Sequence, residues 1–147
     1  MFKDLSKPFI EKEWITTRPT EHQWSVDEII RHMLYYEVRY VQQSFDPTRN
    51  SHPVGVRPQW QDDTVMRLDE GPHIELKDLK KLFPPVQVVT EELIREAADL
   101  DFERTVKTTW GEKMKVIKLL DYWYEHEHYH RGQVFWVINF FSGPPED

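Results

Sequence analysis

The chain contains no cysteine. Disulfides, thiolate metal sites and cysteine nucleophiles are therefore excluded, and any metal must be held by imidazole, carboxylate or water. Its five glycines in 147 residues are too few and too dispersed to build a phosphate-cradling loop. Ser142 precedes a turn but has no nucleophile-elbow context, so serine chemistry has no support either. No run of about eighteen apolar residues occurs, which argues against a membrane-spanning helix. The opening Met1-Phe2-Lys3-Asp4 lacks the basic-then-apolar order of a secretory signal, and a soluble cytoplasmic protein is expected. Basic charge is in deficit. With 26 acidic against 19 basic side chains the net charge is −7, and the averaged field repels phosphate backbones. The densest basic cluster, Lys77, Lys80 and Lys81, reads as a solvated helix face. Nucleic acid is not an expected partner.

What is present is apolar and aromatic matter: 39% hydrophobic residues and 14% aromatic ones, enough for a packed core despite 31% charged residues. The length fits one domain spanning residues 1–147. Pro8 suits the first turn of a short opening helix that reaches about Thr17, before Arg18-Pro19-Thr20 interrupts it. Ser25 followed three residues later by Glu28 has capping-box spacing, and it opens a second helix. Val26, Ile29, Ile30, Met33, Tyr36 and Tyr40 then recur at three and four, up to about Phe45 before Asp46-Pro47.

From Asp46 to about His73 no period is sustained, and the prolines and glycines mark a long connection. Such a connection can run the height of a bundle, letting helices two and three point the same way. Helix three is predicted over roughly Leu76 to Leu100, with Pro84-Pro85 either kinking it or dividing it in two. A short connection containing Trp110-Gly111 leads to the strongest pattern, from about Met114 to Phe141, ended by Ser142-Gly143-Pro144-Pro145. The expectation is an all-α four-helix bundle with one core.

On the last helix, about 100° per residue places Leu119, Trp123, Val134, Val137 and Phe141 on one stripe, with His126 and His130 inside it. His128 turns to roughly the opposite side. Two imidazoles four apart stand one above the other and can meet one ion at about 2.0–2.1 Å. His32, beside Ile29 and Tyr36 near the edge of the apolar face of helix two, is available as a third ligand. Three protein ligands with open positions describe catalytic metal sites better than closed structural ones. Glu28 and Glu127 are candidates for orienting the rings as hydrogen-bond acceptors. The same spacing also suits histidines packed in a core with hydrogen-bond partners. His22, His52 and His73 lie outside strong helical patterns and receive no role. Tyr122, Trp136 and Phe140 fall on the outer side of the last helix, where an exposed aromatic patch would suit a two-fold dimer.

Two segments resemble the DinB/YfiT-like family. They are Trp24-Ser25-Val26-Asp27-Glu28-Ile29-Ile30-Arg31-His32 and His126-Glu127-His128-Tyr129-His130-Arg131-Gly132-Gln133, with Gly143-Pro144-Pro145 as the tail. The likeness covers most of the chain from Trp14 onward, and Tyr129 stands where the family often has another histidine. It implies a bundle in up-down-down-up order, a homodimer, and a divalent zinc- or nickel-type ion on His32, His126 and His130. It further implies a metal-dependent enzyme acting on small molecules. One class is a transferase that joins a low-molecular-weight thiol to an electrophile, and another is a hydrolase. The alternative is a non-catalytic bundle, stabilised by metal, with a structural or interaction role.

Overall fold

In a computed structural model of the protein the described residues are 12–45, 76–100 and 102–143. The helix start expected at Pro8, the connection from Asp46 to about His73, and His52 and His73 themselves lie outside them. In chain order the elements are α1 (Lys12–Thr16), α2 (Val26–Tyr36), a π-helical stretch (Glu37–Gln42), α3 (Gln43–Phe45), α4 (Leu76–Leu100), β1 (Thr105–Lys107), β2 (Lys113–Lys115) and α5 (Val116–Ser142). The fold is thus mostly helical, as expected, with two short strands that the periodicity did not announce. Among the described residues, no helix is long and apolar enough to cross a membrane.

α2 begins where the capping signal stands. Ser25 is extended, at φ −75° and ψ 166°, and its backbone N–H donates to Glu28 Oε2 at 2.8 Å. Arg18, in the segment after α1, then grips the same carboxylate. Its Nε donates to both oxygens at 3.0 and 2.9 Å and its Nη2 to Oε1 at 2.6 Å. The pair fastens the turn after α1 to the first turn of α2, placing an anion where the helix dipole favours one.

Past Tyr36 the helix widens into the π turn and continues as α3. The reason lies in two buried polar residues, Glu37 and Gln42, which are five apart. In an α-helix that separation rotates side chains about 140° apart; the i→i+5 bonding of a π-helix brings them close to one line. Both reach Thr90 on α4. Gln42 Nε2 donates to Thr90 Oγ1 at 2.8 Å and to the Val86 carbonyl at 2.9 Å, and the Thr90 hydroxyl donates to Glu37 Oε1. The widened turn satisfies a polar contact inside an otherwise apolar packing surface.

α4 runs unbroken through Pro84-Pro85, so the division left open above does not occur. The prolines remove two helical N–H donors. The principal core joins Ile15, Val26, Ile29, Met33, Leu34, Val86 and Val137, with Trp24, Val134, Ile138 and Phe141 packed against it. A smaller cluster of Val106, Val116 and Leu119 lies under the hairpin.

The connection expected before the last helix is that hairpin. Its strands pair Thr105 with Lys115, Val106 with Met114 and Lys107 with Lys113. Gly111 supplies the positive φ of +97° that the turn requires, and its N–H donates to the Thr108 carbonyl at 3.0 Å. The hairpin also positions α5. N–H groups of Val116 and Ile117, unpaired within their own helix, donate to the carbonyls of Arg104 and Phe102 at 2.9 and 3.0 Å. α5 therefore starts at Val116, two residues later than the sequence pattern suggests.

Candidate metal centre

α2 and α5 bring His32, His126 and His130 together. His126 Nε2 lies 3.0 Å from His32 Nε2 and 3.1 Å from His130 Nε2. One ring nitrogen from each of the three lies within 4.8 Å of the others, and His130 is only 5% exposed. Nitrogens that share an ion at about 2.0–2.1 Å cannot be more than about 4.2 Å apart, and the two His126 contacts lie inside that limit. His128 does not join them. It is exposed, with its ring edge-on to Tyr124 at a centroid distance of 4.2 Å. His22 is also exposed, beside Glu21 at 3.1 Å.

Hydrogen bonding fixes one ring. His130 Nδ1 lies 2.6 Å from Gln133 Oε1, an acceptor, so Nδ1 holds the proton and the Nε2 lone pair faces the cluster. Gln133 Nε2 in turn donates to the Tyr129 hydroxyl at 3.2 Å. Packing holds the other two rings. Tyr36 stacks on His126 with centroids 3.7 Å apart and planes 18° from parallel. Trp24 lies 5.2 Å from His32 and stacks over His130 at 6.1 Å.

Glu28 and Glu127, candidates as acceptors for the imidazoles, make no hydrogen bond to them among the described residues. Glu28 serves Arg18 and Ser25 at the start of α2. Glu127, about 100° around α5 from His126, lines a separate cavity with Glu37. Gln133 does what was expected of them. Its signal was present in the sequence: it stands three residues after His130, the spacing at which helix side chains meet. Tyr36, four residues after His32, offered a similar clue.

Electrostatics keep the rings neutral. Burial, reinforced by the neighbouring His130 ring, pushes His32 down to about 4. Burial and both partner rings push His126 down to about 3. Burial also lowers His130, against an opposing push from the Gln133 hydrogen bond. Neutral imidazole is the form that ligates a metal.

The donor set fits a divalent ion better than it fits itself. His126 Nε2 meets two other ring nitrogens but has at most one proton to offer, so one of its two contacts has no hydrogen bond. Its Nδ1 is buried without a partner. An ion shared by three lone pairs removes the conflict at the Nε2 atoms, and it leaves the His126 proton on Nδ1.

Other buried charges help shape the surroundings. Burial alone would raise Glu28, but hydrogen bonds from Arg18 and Ser25, with the Arg18 charge, hold its carboxyl below the usual value. Burial raises Glu37, against the Thr90 hydrogen bond; burial together with the Glu37 charge raises Glu127 to about 7, against the opposing charge of Arg131. Arg31 is 2% exposed, and its guanidinium makes no hydrogen bond among the described residues. Burial lowers it, while the charges of Asp27 and Glu28 oppose that shift.

No curated protein and no solved structure matches the chain. The model of the DinB family matches residues 9–139, which include both histidine-bearing segments. The chain therefore belongs to the DinB family.

Proposed function

We propose that the protein is a metal-dependent enzyme acting on small molecules, a thiol transferase or a hydrolase, with zinc or nickel held by His32, His126 and His130. The observation that supports this reading is the convergence of three neutral imidazole nitrogens with no carboxylate or thiolate among them. Three protein ligands leave a position open for water or substrate. The bound ion would supply Lewis acidity, stabilising a substrate thiolate or a hydroxide near neutral pH.

The chain's own residues prepare that position. Gln133 holds the His130 proton on Nδ1, directing Nε2 inward. Tyr36 and Trp24 flank the rings with apolar surface and restrict their rotation. A low-molecular-weight thiol is the cosubstrate that suits a protein without cysteine, because the nucleophile must then come from outside the chain. The helices are taken in up-down-down-up order, and the protein as a cytoplasmic homodimer. Tyr122, Trp136 and Phe140 are 54%, 46% and 51% exposed along α5, an aromatic surface suited to a second copy.

A second reading is a non-catalytic bundle in which the ion only ties α2 to α5. The location of the ligands on two helices of one core supports it. Elemental analysis of untagged protein tests the site. One ion per chain is expected in the wild type and in His128→Ala, and none in His126→Ala or His130→Ala. Equal losses in all three variants would refute the assignment. Turnover with a panel of thiols and electrophiles separates the two readings. If chelation lowers Tm while no conjugation or hydrolysis occurs, the ion has a structural role.

A further inference from the structure

A cavity of about 620 Å³ lies between α2 with its π turn, α4 and α5, away from the histidine cluster. Ile30, Met33, Ile94 and Val134 give it apolar walls, and three acidic groups line it: Glu37, Glu127 and the exposed Glu91. Glu37 is 4% exposed; Thr90 occupies Oε1, and among the described residues no hydrogen bond reaches Oε2. Glu127, half-buried, lines the cavity and has no hydrogen bond or ion pair among the described residues. Glu91 at the margin is turned to Arg95 at 3.7 Å. The lining cation, Arg131, is exposed and makes no ion pair with either inner carboxylate.

We infer that this cavity is a second binding site, taking a protonated primary amine with an apolar body. Its volume is that of small-molecule sites, and its composition is theirs too: apolar walls with a few convergent polar groups. An ammonium carries three donors and a positive charge. It can enter between walls that carry the Glu37 oxygen not used by Thr90 and the Glu127 carboxylate, and so bring a positive charge to acids set in an apolar lining. A bare divalent ion suits the site poorly, because two carboxylates provide few of the oxygens such ions require and the remaining wall is apolar. The π turn supports the site. By letting Glu37 and Gln42 share Thr90, it anchors Glu37 at the cavity wall, and π turns occur frequently at functional sites.

The test is calorimetric titration of the protein as purified with 2-phenylethylammonium, and with 2-phenylethanol as the neutral analogue. The ammonium should bind one per chain, at least tenfold more tightly than the alcohol. Glu127→Gln and Glu37→Gln should each weaken it by about tenfold or more; the first alters a half-buried group and the second keeps an oxygen for Thr90 to bond. His32→Ala should bind the amine within twofold of wild type, which separates the cavity from an amine ligating the ion. The inference is overturned by absence of saturable binding, by equal affinity for amine and alcohol, or by wild-type affinity in Glu127→Gln. Binding that disappears in His32→Ala while surviving in Glu127→Gln also overturns it. None of these outcomes depends on metal stoichiometry or turnover, so the two proposals fail independently.

Discussion

Replacing Arg18 with alanine should destabilise the protein by about 2 kcal/mol at neutral pH, and the penalty should shrink as the pH falls through the raised carboxyl of the variant. The Glu28 side chain is 4% exposed, and its oxygens receive three contacts from Arg18 at 2.6–3.0 Å besides those from Ser25. Removing one partner of a buried pair costs about 3–5 kcal/mol. The Arg18 side chain is 35% exposed, so screening and replacement by water reduce that figure to about 2 kcal/mol. For a chain of this length that corresponds to a Tm lower by roughly 4–8 °C. The pH dependence follows from the lowered carboxyl. A group depressed on folding stabilises the native state above its unfolded value, and that contribution is lost as pH falls through the folded value. In Arg18→Ala the largest remaining influence is burial, which raises the carboxyl and lets protonation relieve the variant first. Calorimetric Tm of both proteins between pH 7.5 and about 3.5 measures the gap. A gap below 1 °C at neutral pH, or one that stays constant into acid, would refute the reasoning.

Gln133→Leu removes the acceptor from His130 Nδ1 and should weaken metal affinity by about 10–100-fold while leaving one ion per chain at saturation; competition with a chromogenic chelator reads this, and unchanged affinity would contradict it. Gly111→Ala meets no neighbouring atom within 4 Å yet must hold φ at +97°, so a loss of about 1–2 kcal/mol is expected by denaturant titration. A stability equal to wild type would show that the hairpin turn readily changes its conformation. Trp136→Glu should convert a dimer to a monomer in light scattering, its side chain being 46% exposed on α5. A wild type that is already monomeric at high concentration would exclude the aromatic contact.

Much of the helical framework and the pairing of His126 with His130 could be read from spacing because both follow local rules, whereas His32 entered as an available third ligand and through the family resemblance. Ser25 and Glu28 mark the α2 start by their own hydrogen bonds, and His126 and His130 share a face through helix geometry alone. The differences arise where distant partners decide. The π turn depends on Thr90, about fifty residues further along, which accepts from Gln42 and donates to Glu37. The strands are three residues each, too short for alternation to stand out, and the hairpin is held by pairing and by its docking against Ser44, whose hydroxyl meets the Thr109 N–H at 3.3 Å. The glutamates looked suitable for orienting imidazoles by proximity along the chain; in space Arg18 claims one and the cavity holds the other.

That displacement of the glutamates accounts for the character of the centre. A carboxylate on each ring nitrogen would favour imidazolium and raise the rings, whereas an amide acceptor and aromatic faces add no charge. With Gln133 on one ring and Tyr36 and Trp24 against the others, orientation is achieved while burial remains free to push the histidines down. The rings thus reach neutral pH unprotonated. A metal ion held there would meet little competition from protons, and none of the three ligands would bring a negative charge to offset its own. Under the proposed reading that neutrality would favour acidification of a bound thiol or water, and the aromatic packing makes it compatible with fixed ring positions.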